Sequence, residues 1–244
     1  EVAVARVQAA NKLIPEKAAR AIASTAKFSM KRIEEIEKTT KHDVIAFVSN
    51  LAENVGPEGK FIHYGLTSSD VLDTALSLIF KDAGAELEKG LDALEAALVK
   101  QAKRHVNSLC AGRTHGMHAE ITSFGVKLAG FVAELRRQRE RFERAMAQTA
   151  IGKFSGAVGA YSSLSPKIEK EICKKLGLEP ETIATQVIPR DRVAEVLTAL
   201  AMIGGFLERL AVELRHLQRT EVGEVVEDFS PGQKGSSAMP HKKT

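Results

Sequence analysis

Three long stretches of this chain repeat apolar residues at helical spacing, and almost nothing in it alternates as a strand does. From Asp70, the residues Leu72, Ala75, Leu76, Ile79, Leu87, Leu91, Leu94 and Leu98 fall on one stripe. Asp70 is the expected N-cap, after Thr67-Ser68-Ser69. Continued to His105, this helix is roughly 54 Å long at 1.5 Å per residue. A second helix is expected from Phe124 to Gln148, with Phe124, Leu128, Phe131, Val132, Leu135, Phe142 and Met146 as its apolar face. Its far face carries Arg136, Arg137, Arg139, Glu140, Arg141, Glu143 and Arg144, at spacings that allow ion pairs. A third runs from Arg192 to Glu221 through Leu197, Leu200, Ile203, Leu207, Leu210, Leu214 and Leu217. Gly204-Gly205 in its middle costs about 1 kcal/mol per glycine against alanine, which a close helix crossing there would offset. Shorter helices are expected at 15–28, 29–40 and 42–54, before a turn at Gly56-Pro57 and Gly59. No Val/Ile/Thr alternation bounded by a hairpin turn is evident, so the expected fold is all-α. Helices this long do not close into a compact monomer. They form a long bundle or pack against other copies of the chain.

Composition narrows the function. With 35 Lys+Arg against 31 Asp+Glu the net charge is +4, which suits an anionic small ligand but is too diffuse for a nucleic-acid surface. The longest nearly unbroken apolar run, Val196 to Leu207, is too short to span a bilayer. Cys110 and Cys173 form neither a disulfide framework nor a C-x-x-C motif. With no export signal evident, a reducing cytoplasm is the expected compartment.

Polar junctions interrupt the helical pattern at 40–44, 63–70, 112–120 and 230–244. Of the seven histidines, His42, His63, His115, His118 and His241 fall in them and His105 lies just before one. Helix-end loops that gather His, Ser, Thr and Lys are where sites are usually built, although caps and turns use the same residues. His115 and His118, three apart, could share a helical face and bind a metal, but no third ligand at a familiar spacing supports that. General acid/base work suits them better, with a hydrogen bond to a neighbouring loop as the plain alternative for His118. In the last junction, Gly235-Ser236-Ser237 can present successive amides and two hydroxyls to an anion, beside Lys234, Lys242 and Lys243. Neither a nucleotide-triphosphate phosphate loop nor an esterase G-x-S-x-G is present. Residues alone give a mobile anion-binding loop or lid, or a flexible linker.

Gly235-Ser236-Ser237-Ala238-Met239-Pro240-His241-Lys242-Lys243 closely resembles the G-S-S-x-x-P-x-K-x-N signature of the fumarase/aspartase superfamily. Gly112-Arg113-Thr114-His115 is similar to that superfamily's Thr-His block, and His63-Tyr64-Gly65-Leu66-Thr67-Ser68-Ser69-Asp70 to its first block. The form of the first block resembles the adenylosuccinate lyase branch. So do Thr40-Lys41-His42-Asp43-Val44, Gly152 through Gly159, and Thr185-Gln186 with Arg190-Asp191-Arg192. The blocks occur in order along essentially the whole chain.

The resemblance implies a long-helix bundle assembling as a homotetramer, with each active site drawn from three subunits. Residues 1–69 would form an N-terminal helical domain and 70–244 the central bundle domain ending in the signature loop. The family's C-terminal domain lies beyond Thr244, and its N-terminal Arg-Tyr pair, a phosphate contact, is missing too. The natural protein is therefore expected to be longer. The implied reaction is β-elimination of fumarate from adenylosuccinate to give AMP, and from succinyl-aminoimidazole-carboxamide ribotide, with no metal or organic cofactor. By motif position Ser236 is the general base and His115 the general acid. His63, Thr67 and Ser68 would bind succinyl or phosphate oxygens, and Lys242 a substrate carboxylate. His42 would support His115 or touch substrate, and Gln186 would contact the succinyl part. Thr114, Asp43, Arg190 and Ser237 are further substrate-binding candidates, with a salt bridge to Asp191 or Glu195 the alternative for Arg190 and Arg192. Thr244 stands where the signature has Asn. Lys41 stands where many relatives have Arg, keeping the charge but not a bidentate grip. The rival readings are another fumarate-releasing lyase of the superfamily and a non-catalytic helical scaffold.

Overall fold

The computed structural model describes residues 1–239 and 242. Pro240, His241, Lys243 and Thr244, on which the reading of the signature partly rests, lie outside the described residues. The chain divides into two compact units, residues 1–84 with 146–193 and residues 85–145 with 194–244.

The first unit begins with four helices, α1 (Val2–Ala10), α2 (Glu16–Thr25), α3 (Met30–Thr40) and α4 (Asp43–Val55), and a 3-10 turn over Gly56–Phe61. Ser29 caps α3 by accepting the Arg32 amide, and Lys41 ends it in the left-handed region. Alanines on α1 and α2 let these helices approach closely, so Ala5, Ala9, Ala18, Ala19 and Ile22 pack with Leu51 and Ile62. A second apolar cluster joins Val4 and Val7 of α1 to Phe154, Leu164, Ile168, Ile172, Cys173 and Leu178. Ile168, Ile172 and Cys173 come from α7 (Pro166–Leu176), a helix absent from the expectations above. Two short parallel strands, β3 (Ile151–Gly152) and β4 (Glu179–Pro180), run beside it. Burial pushes the Cys173 thiol up to about 12, which makes it an inert core residue.

Helix α5 (Ser68–Arg104) is 37 residues long and contributes to both units. Its cap is Thr67 rather than Asp70. Asp70 sits in the first turn and reaches back, its Oδ2 accepting the Thr67 amide at 2.9 Å.

In the second unit, α6 (Phe124–Gln148) and α8 (Asp191–Leu217) supply the long stripes. Leu128, Phe131, Val132, Leu135 and Phe142 of α6 are buried, as are Val196, Ala199, Ile203, Phe206, Leu210 and Leu217 of α8. Phe131 and Phe206 meet edge to face at 6.2 Å, and the Arg209 guanidinium lies 4.3 Å from the Phe131 centroid while paired with Glu134. Lys127 pairs with Glu213, and Arg136 and Arg139 both grip Glu95 of α5. The α8 stripe read from sequence is displaced. Leu197 and Leu207 are exposed, as are Leu72, Ile79 and Leu87 of α5. These helices are apolar on more than one face, so one stripe cannot represent what the chain itself buries. Among the described residues of this chain, a Cβ at Gly204 or Gly205 would meet nothing within 4 Å, so neither marks a crossing within it. The helix also stops at Leu217, four residues before Glu221, where a chain of turns begins.

The junction before α6 is a hairpin, not a helix end. Strands β1 (Leu109–Thr114) and β2 (Met117–Ser123) pair antiparallel, from Leu109 opposite Ser123 to Thr114 opposite Met117. The two-residue turn is His115-Gly116, with φ of 54° and 77°. That is a primed turn, and histidine tolerates the left-handed region better than most side chains. The fold is still dominated by helices, and no helix among the described residues is long and apolar enough to cross a membrane.

Candidate active site

In the first unit, the start of α5 gathers the motif blocks. Asp70, Asp73, Thr74 and Ser77 are polar yet buried, at the spacing that would normally mark an apolar face. Each finds partners. Asp70 Oδ1 accepts the Lys153 ammonium at 2.6 Å, and Lys153 also donates to the Gly156 carbonyl at 2.8 Å. Both ends of this ion pair have 0% exposure. Thr74 Oγ1 accepts the Lys153 amide at 3.1 Å. Asp73 Oδ2 accepts the Ile188 amide and its Oδ1 the Arg190 guanidinium, both at 2.7 Å. Arg190 is thus paired with neither Asp191 nor Glu195, and Arg192 pairs with Glu181 at 2.5 Å.

Buried Glu169 of α7 fixes the other side of the 152–159 block, accepting the Phe154 amide and the Tyr161 hydroxyl, each at 2.7 Å. Desolvation, with the Glu169 hydrogen bond and charge, pushes the Tyr161 hydroxyl up to about 12, so it stays a donor. Gly159 closes the block at φ +77°, and a Cβ there would sit 1.9 Å from the Ala184 carbonyl oxygen. Gly159→Ala is therefore expected to lower stability by about 2 kcal/mol or more and to displace Thr185-Gln186. Chemical denaturation of this variant, together with amide exchange across 184–186, checks both effects.

His63 backs onto Glu1, its amide donating at 3.0 Å and its Nδ1 lying 2.9 Å from the other carboxylate oxygen. Burial works to raise the Glu1 pKa, but the His63 hydrogen bonds, with the charges of the adjacent α-amino group and His63, outweigh it and bring the carboxyl below its usual range. His42 is the N-cap of α4, its Nδ1 accepting the Ile45 amide at 3.3 Å. A cap made through Nδ1 puts the ring proton on Nε2. Asp43 Oδ1 lies 3.4 Å from that Nδ1 and accepts the Val44 amide at 2.7 Å. Thr67 and Ser68 open the long α5, where unpaired amides and the helix dipole favour an anion. Gln186 is exposed, two residues before Ile188, whose amide Asp73 holds.

In the second unit, Thr114 and His115 are exposed at the hairpin tip. Arg113, one residue before Thr114, anchors the tip, donating to Glu224 at 2.5 Å and to His118 Nε2 at 3.3 Å. The Arg113 hydrogen bond holds the Glu224 carboxyl below its usual range. His118 is thereby the neighbour-bonded side chain, and the idea of a metal pair on a helix falls with the helix. Among the described residues no group of three or more His, Cys, Asp or Glu is placed to hold a metal. The signature loop turns at Pro231-Gly232, where the Gln233 amide reaches the Ser230 carbonyl at 3.0 Å. Ser236 is half-buried, and its Oγ accepts the Met239 amide at 3.4 Å. Ser237 and Lys242 are exposed, with the Lys242 amide donating to Met239 at 3.0 Å. Among the described residues, the amide that reaches Ser236 Oγ is that of Met239.

All of residues 1–244 match a family described as lyase. The adenylosuccinate lyase of Synechocystis sp. is 52% identical over 243 residues, covering 100% of this chain and 56% of that protein. That of Thermotoga maritima is 48% identical, with the same coverage of both chains. The Bacillus subtilis adenylosuccinate lyase is 48% identical over 231 residues, 95% of this chain and 54% of its own length. The chain thus spans little more than half the length of these curated relatives. Among solved structures, the 3-carboxy-cis,cis-muconate lactonizing enzyme of Pseudomonas putida aligns with a TM-score of 0.89 at 31% identity, covering 100% of this chain and 56% of its own. A fumarate lyase from Mesorhizobium sp. BNC1 aligns at 0.85 and 32% identity, covering 91% of this chain and 54% of its own. Motif blocks in order, a long-helix fold and likeness along the whole chain agree: the chain belongs to the lyase family of the fumarase/aspartase superfamily.

Proposed function

We propose that the protein catalyses β-elimination of fumarate from adenylosuccinate, giving AMP, and from succinyl-aminoimidazole-carboxamide ribotide. The observation that carries this reading is 52% identity over 243 residues to a curated adenylosuccinate lyase, with His115 and Ser236 both in place. Ser236 Oγ, as its alkoxide, takes the proton from the succinyl carbon beside a carboxylate. That electron pair forms the double bond of fumarate as the neighbouring carbon–nitrogen bond breaks, and His115 gives its proton to the departing nitrogen. The Met239 amide on Ser236 Oγ supports an oxyanion there. His115 at the tip of a turn can reach a partner chain's site. Thr67, Ser68 and His63 at the positive end of α5 suit an anionic oxygen, with Lys242, Gln186, Thr114, Ser237, His42, Asp43 and Arg190 as further contacts.

The proposed assembly is a homotetramer with shared sites, built on residues 70–244 as the central domain and 1–69 as the N-terminal one. Exposed Leu72, Ile79, Leu87, Leu197 and Leu207 along α5 and α8 supply apolar surface for it. Both cysteines are free, which suits a cytoplasmic setting. The test is fumarate release from adenylosuccinate by the full-length protein, followed by absorbance. Release supports the reading. No release from adenylosuccinate, with turnover of another fumarate-yielding substrate, replaces it by a sister lyase, and no turnover of either leaves the scaffold.

A further inference from the structure

We propose that Asp73 is a positioning residue that holds the Gln186 segment in the shape substrate requires. This rests on the lyase reading. Asp73 is 5% exposed and both its oxygens are used, one on the Ile188 amide and one on Arg190. A carboxylate with two charge-assisted bonds of 2.7 Å is a rigid anchor. It binds the segment at two points, two and four residues beyond Gln186. On the other side of Gln186, the chain at Ala184 and Thr185 lies against Gly159 too closely for any side chain there. Gln186, exposed and without a side-chain partner among the described residues' hydrogen bonds, is thus the free residue of a segment pinned on both flanks. Asp73 lies one turn along α5 from Asp70, which holds the Thr67 amide. The same helix start therefore sets the Thr67-Ser68 block and the Gln186 block in one frame. Arg190 serves this frame through its bond to Asp73, and needs no substrate contact to matter.

The experiment compares Asp73→Ala, Asp73→Asn, Gln186→Ala and the double variant Asp73→Ala/Gln186→Ala in the full-length protein. Asp73→Ala is expected to raise KM for adenylosuccinate about tenfold with kcat changed much less. Asp73→Asn keeps an oxygen for the Ile188 amide and should recover part of the loss. The double variant should bind no worse than Gln186→Ala alone, because Asp73 acts through Gln186. Independent, multiplying effects, or an unchanged KM in either Asp73 variant, overturn the proposal. Asp73→Asn provides the answer if Asp73→Ala does not fold. Wild-type protein that releases no fumarate overturns the lyase reading instead. Amide exchange at Ile188 then decides the anchoring by itself, since Asp73→Asn must speed it if the carboxylate holds the segment.

Discussion

Lys153→Met is expected to lower the stability of the protein by about 3–5 kcal/mol, more than most single substitutions. The ammonium has 0% exposure and two acceptors, Asp70 Oδ1 and the Gly156 carbonyl. Methionine fills similar space without a donor. Among the described residues, it leaves the Asp70 carboxylate out of water with only the Thr67 amide for compensation, and the Gly156 carbonyl with no side-chain donor. The cost is chiefly that of an uncompensated buried charge, not of a lost attraction. Asp70→Asn/Lys153→Met should therefore be less damaging than Lys153→Met alone, since asparagine carries no charge and keeps an oxygen for the Thr67 amide. Urea unfolding of the three proteins measures this through their midpoints. A midpoint unmoved by Lys153→Met, or a double variant no more stable than Lys153→Met, would mean that the pair does not hold the Thr67 and 152–159 blocks together.

That pair also shows where sequence reading stops. The long helices were legible because their apolar residues recur with a helical period, and α6 was expected from Phe124 to about Gln148, the span it has. Which face of α8 the chain buries was not, because Leu197 and Leu207 are as apolar as Phe206 and Val196, and periodicity cannot rank two apolar faces. Helix α7 went unseen although Ser165-Pro166 and Gly177 flank it as start and stop signals. The hairpin was missed because its turn is His-Gly rather than Asn-Gly and β2 faces outward along most of its length, with no alternation to find. For the site, the motif blocks gave residue types and order, but not what holds them. Asp70, Asp73, Thr74 and Ser77 recur at core spacing, and a polar stripe with that period at the start of a long helix was the available signal. Its partners, Lys153 and Arg190, are far along the chain, and only tertiary structure brings them in. The same is true of Glu224, which meets Arg113 beside the tip of the hairpin.

His115→Ala and Ser236→Ala are each expected to reduce kcat for fumarate release by about a thousandfold, within the range for loss of a positioned acid or base. The effect should fall on turnover, with substrate binding largely kept, if each side chain acts, as proposed, on a proton that moves only in the reaction. His115 lies on a turn that the backbone dictates, and alanine there must adopt the same positive φ. A second variant, His115→Asn, tolerates that conformation and isolates the loss of the proton donor from strain. Ser236→Ala removes an oxygen that accepts one amide in a loop, and should leave stability nearly unchanged. Mixing the two dead proteins after mild dissociation supplies the decisive comparison. If each site takes His115 and Ser236 from different subunits, roughly one site in four regains both by random assortment in a closed oligomer. Activity should then return from two inactive samples. Mixtures that stay inactive although hybrid oligomers form would place both residues of a site on one chain, and near-normal turnover by either variant would remove that residue from the proton transfer.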